Sequence, residues 1–179
     1  MKRLLARVLS RFVGDERATA SVEFVLTVPV LMLIFMSSFE SGLLMTRQIL
    51  LEQSLDEVMR DLRLGKIDSP NATKIKNRIC AKSIIFTDCV NSTSVELTPI
   101  DGTSWTLPSA NTACSERDDE AVQPVVTFVP GSENEMMLVR VCVVQDAMFP
   151  TTGLGADLPL DNQGGYGLIA VSAFVNEPS

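Results

Sequence analysis

The chain has no histidine, one tryptophan and one tyrosine. Without an imidazole, a His-dependent triad is excluded. The four cysteines, Cys80, Cys89, Cys114 and Cys142, show no C-x-x-C spacing, which argues against zinc and thioredoxin-type redox sites. No nucleophile elbow, phosphate loop or metal-ligand spacing is present, so the sequence points to no catalytic residue, no metal and no cofactor. Internal repeats are missing too. Lysine and arginine are absent between Arg17 and Arg47, and only one apolar run is long enough to cross a bilayer. A basic field is also lacking where it would matter for nucleic acid. The first 18 residues set five basic side chains against two acidic ones, a net +3, and the remainder holds 10 basic and 20 acidic residues, a net −10. Phosphate recognition by that remainder is therefore disfavoured.

What is present centres on residues 18 to 45. From Val22 to Met45 the 24 residues would make a helix of about 36 Å, against ~30 Å of hydrocarbon core. The basic flank before this run predicts a cytoplasmic N-terminus, with the bulk of the chain across the membrane. Two acids interrupt it. Glu23 lies near the entrance, where an unpartnered carboxylate is costly. Glu40 lies near the far end, where the expectation is a carboxylate exposed as the helix enters water. Pro29 removes the hydrogen bond to the Val25 carbonyl and should kink the span or let it melt locally. Residues 37 to 42 offer a poor small-x-small match for ordinary signal cleavage after the core.

The segment D-E-R-A-T-A-S-V-E-F-V-L-T-V-P-V-L, Asp15 to Leu31, resembles the N-terminal signature of the TadE-like pseudopilins of the tight adherence (Tad) pilus, and S-S-F-E-S-G-L-L-M-T-R-Q, Ser37 to Gln48, resembles its continuation. The likeness is firm over about residues 15 to 64 and looser beyond. Where the family usually has Gly before the scissile bond, this chain has Ala18. The resemblance implies cleavage between Ala18 and Thr19 by a prepilin peptidase, with Glu23, followed by Phe24, becoming the fifth mature residue. A new amine at Thr19 beside the membrane would then pair with Glu23 of a neighbouring subunit or of the same chain, since two uncompensated charges are the alternative. Implied partners are the prepilin peptidase, the major pilin, sister pseudopilins and the inner-membrane assembly platform. The implied role is non-enzymatic: a minor pilin of Tad (type IVc) pilus assembly, and through it surface adhesion.

Beyond Met45 the helical pattern continues. Leu44, Leu51, Leu55, Val58 and Leu62 form one stripe, Asp56 and Arg60 stand as an i,i+4 pair, and Gly65 is a suitable stop. Ser69 and Pro70 then read as cap and first residue of a short helix carrying Ile75 and Ile79. Strands are expected at 94–98, 125–129, 136–145 and 167–176, the third of them central and covered on both faces except at Arg140. The resulting expectation is an α+β protein, pilin-like: a leader at 1–18 in the cytoplasm, a transmembrane helix at 19–45, its continuation at 46–65, and a periplasmic domain at 66–179 with an antiparallel sheet.

In an exported domain four cysteines suggest two disulfides. Spacing does not decide among three pairings; the working expectation is Cys80 with Cys89 and Cys114 with Cys142. The acidic run Glu116 to Glu120 reads as a solvated loop. Residues 146 to 166, rich in Gly and Pro but carrying Met148, Phe149, Leu154, Leu158 and Leu160, read as an arm packed on its own domain or on a neighbour. Asp157 to Gly165 hints weakly at a calcium loop without fitting the EF-hand pattern. Two other readings compete: a signal-anchored periplasmic binding or sensor domain with a ligand held by the 146–166 arm, and a tethered enzyme using acids such as Asp118 or Asp157.

Overall fold

The computed structural model describes residues 16–103, 107, 114, 127–161 and 163–177, with side chains from Ala20 onward. A single helix, α1, runs from Glu16 to Arg63, and its 48 residues make a rod of about 72 Å. It passes through Pro29 without a break, so local melting does not occur there. Thr27 Oγ1 bonds back to the Glu23 carbonyl at 2.6 Å, which pairs its hydroxyl within the helix. The helix ends in a Schellman motif. Gly65, at φ +66, donates to the Leu62 carbonyl at 3.0 Å and Lys66 to that of Asp61 at 3.0 Å, which satisfies two otherwise orphaned carbonyls.

Helix α2, Ala72–Lys82, starts later than the sequence suggests. Its N-cap is Asn71, extended at φ −144 and accepting from the Lys74 N–H through its side chain. Ser69 sits at φ +46, which is not the extended geometry a cap requires, so Pro70 precedes the helix instead of opening it. A short α3, Cys89–Ser92, leads into strand β1, Thr93–Ile100. Then come β2, Met136–Asp146, the short α4, Leu154–Asp157, and β3, Gly165–Val175.

The three strands form an antiparallel sheet in the order β1-β2-β3. Of the expected strand at 125–129, residues 125 and 126 lie outside the described residues and the rest form an isolated parallel bridge of Phe128 to Leu97; Leu97 donates to the Thr127 carbonyl and accepts from the Val129 N–H, which covers the outer edge of β1. One sheet face presents Val95 and Leu97, Met137, Val139, Val141 and Val143, and Leu168 and Ala170 to Leu51, Leu55 and Val58 of α1 and Ile75 and Ile79 of α2. These side chains are the core, and Leu44 and Leu62 complete the α1 stripe at its edge. On the opposite face the half-buried cross-strand pair Glu96 and Arg140 closes at 2.6 Å. The architecture is thus α+β: a long N-terminal apolar helix whose second half is packed under a small antiparallel sheet.

Candidate functional site

Two regions of α1 stand apart. From Ala20 to Phe35 the helix is bare, with Phe24 67% exposed. Length and mean hydropathy make this helix able to cross a membrane. Glu23 lies on this bare portion, and among the described residues no cation is paired with it. The backbone at Ala18 and Thr19 is helical, while their side chains lie outside the described part.

From Met36 onward the second region is occupied by the 146–166 arm, which the structure packs on its own chain. Glu40 is its centre. Far from being exposed, its side chain is fully buried, and the carboxylate accepts from the Met148 N–H at 3.0 Å and the Phe149 N–H at 3.0 Å. A buried carboxylate is tolerated when donors replace its hydration, and here two consecutive backbone amides do so. Around this bond the fit is close. Phe149 meets Phe39 edge-on at 6.4 Å, Ser37 Oγ accepts from the Leu154 N–H at 3.3 Å, and Thr152 Oγ1 approaches Met36 Sδ at 3.7 Å. Gly153, at φ +55, lies so near that a Cβ there would overlap Ser37 Oγ.

Both ends of the arm are anchored by Arg47, one helical turn further along the chain beyond Leu43. Its guanidinium donates to the Asp146 carbonyl at 2.9 Å and to the Tyr166 hydroxyl at 2.6 Å, with its carbon 5.9 Å from the Tyr166 ring centroid. The arm's return is shaped by Asp161, whose carboxylate accepts from the Gln163 N–H at 2.9 Å and the Gly165 N–H at 2.7 Å. Gln48 then bridges from α1 to the Ile169 carbonyl of β3 at 3.0 Å. Asp56 faces the Ser172 hydroxyl at 3.5 Å, so its hydrogen bond is to the sheet, and among the described residues no ion pair joins it to Arg60.

The remaining candidate residues divide as follows. Cys80 is bonded to Cys89, with Cα atoms 5.6 Å apart, and Cys114 to Cys142 at 5.4 Å. The first bridge joins α2 to α3, and the second fastens residue 114 to the outer face of β2. Asp157 is exposed at the end of α4, and no group of three or more metal-ligating side chains gathers among the described residues. Asp118 and the acidic run lie outside the described residues. Sequence reasoning missed the roles of Glu40 and Arg47. The available signal was an acid late in an apolar run, together with ten consecutive uncharged residues, 147 to 156, in what otherwise looked like a loop.

No curated protein and no solved structure shows significant similarity to the chain. The family described as TadE-like protein does match, over residues 18–60. That interval takes in the bare portion of α1, Glu23, Pro29, Glu40 and Arg47, and ends inside the part of the helix that the sheet covers: over residues 18–60 the N-terminal helix is similar to the TadE-like family.

Proposed function

We propose that the protein is a TadE-like minor pilin or pseudopilin of a Tad pilus, a structural and not an enzymatic component, anchored through α1 with its sheet domain on the periplasmic side of the inner membrane. The observation that carries this reading is the coincidence of the family match with a bare apolar helix bearing Glu23. A prepilin peptidase cuts between Ala18 and Thr19, and the amine so formed pairs with Glu23 when neighbouring subunits associate. Major pilin, sister pseudopilins and the inner-membrane platform are the partners of that step, and surface adhesion is its outcome. In the rival reading the arm at 146–166 holds a ligand; here its backbone donors are engaged by Glu40 and Ser37, which favours the structural role.

Intact mass of the membrane-extracted chain tests the processing step. The expected mass is that of residues 19–179; a polypeptide still starting at Met1 in cells with an active peptidase overturns it. Glu23→Ala is expected to leave membrane insertion intact and to abolish piliation, scored by electron microscopy of the host cells. Normal pili in that variant would remove the pairing role of Glu23.

A further inference from the structure

The bare part of α1 ends where the 146–166 arm packs on it. Twenty residues span a hydrocarbon core of ~30 Å at ~1.5 Å per residue. Counted from Ala18, which follows the last cation Arg17, such a span closes at Ser37; counted from Val22, where the apolar run opens, it closes at Ser41. The arm meets the helix at this level: Gly153 lies against Ser37, Phe149 against Phe39, and Met148 and Phe149 over Glu40.

Three features of the arm suit it to that depth. Residues 147 to 156, A-M-F-P-T-T-G-L-G-A, carry no charge. Met148 is 52% exposed and follows directly before Phe149, which meets Phe39 on the helix; Phe39 and Phe35 are 49% and 64% exposed and 6.5 Å apart, so both the helix and the arm present apolar side chains at this level. Five of its backbone donors are used internally. Met148 and Phe149 give theirs to Glu40, Leu154 to Ser37, Thr152 to the Phe149 carbonyl and Ala156 to that of Gly153, and Pro150 has none. A non-helical segment that has to sit where water is scarce needs this kind of internal pairing.

We propose that residues 147–156 form an interfacial collar around α1, lying at the headgroup–acyl boundary of the leaflet nearer the sheet domain, with Met148 presented to lipid and Glu40 shielded from it. The inference rests on the reading of α1 as a membrane anchor. It gives the domain a fixed height above the bilayer, because the segment that meets lipid is fastened to α1 through Glu40 and Ser37.

The test uses the full chain in phosphatidylcholine vesicles, with Met148→Trp and Leu31→Trp each placed in a Trp105→Phe background so that each reporter is the single tryptophan. The expected result is loss of emission at position 148 with lipid brominated near the headgroup, and at position 31 with lipid brominated near the chain end. If position 31 responds to lipid while position 148 responds only to aqueous iodide, the collar is overturned and the anchor stands. Shielding of position 148 from both quenchers overturns it in favour of a neighbouring copy. Failure of position 31 to respond to lipid overturns the anchor and the collar together. On the unsubstituted chain, a phosphatidylcholine with a photoreactive group near the headgroup should label the peptide containing Met148; labelling confined to α1 contradicts the proposal independently of any substitution.

Discussion

Glu40 shows how a residue's neighbours decide its meaning. In sequence it is an acid at the end of an apolar run; in the fold it is a buried acceptor for two adjacent amides. Replacing it by alanine leaves both N–H groups without a protein partner, an expected loss of about 1–3 kcal/mol, read from thermal unfolding of the detergent-solubilised chain. Glu40→Gln, which keeps one acceptor oxygen, should lose less. Lys76 is a quieter case. Burial lowers its pKa below the usual lysine value, so at alkaline pH the unfolded chain binds the extra proton. Stability should therefore gain from this group as pH rises from its lowered value towards the ordinary one, and Lys76→Met should erase that gain in denaturation curves across alkaline pH.

The same reasoning extends to whole elements. α1 stops where it does because Gly65 takes a left-handed conformation and returns two amides to the last turn. Gly65→Ala should cost about 1–2 kcal/mol, visible as a lower unfolding midpoint. The arm depends on another glycine. Gly153 combines φ +55 with contact on Ser37, so Gly153→Ala is expected to lift the arm while leaving the sheet paired. Limited proteolysis should then cut between residues 147 and 158 before any strand is attacked; unchanged protection there would mean the contact is dispensable.

For the molecule as a whole, a helix half bare and half covered divides the work. The bare half supplies the apolar surface and Glu23; the covered half supplies Leu51, Leu55 and Val58 to the core. The bridge from Cys114 to Cys142 closes 28 residues, and its removal should cost roughly 3–4 kcal/mol on the chain-entropy account, whereas the bridge from Cys80 to Cys89 closes only 9 and should matter less. Comparing Cys114→Ser/Cys142→Ser with Cys80→Ser/Cys89→Ser by thermal unfolding measures that difference. Local patterns carried much of this architecture. The period of the α1 stripe and the long apolar run at β2 are visible residue by residue, because helix and strand periodicity are local properties. The cap of α2 was misplaced by two residues because a Ser-Pro pair and an Asn two positions later offer similar chemistry, and only backbone geometry separates them. The bridge of Phe128 to Leu97 was not legible in the sequence because pairing depends on what lies beside it.

By itself the amino-acid order determined the apolar helix, its acid at position 23, the TadE-like character of that segment and the existence of a β-rich domain after it, since each follows from neighbours within a few residues. Only the tertiary structure decided that the 146–166 arm folds back over Glu40 and that Arg47 holds both its ends. Those contacts join residues about a hundred positions apart, and no local pattern specifies which distant amide will satisfy a buried charge.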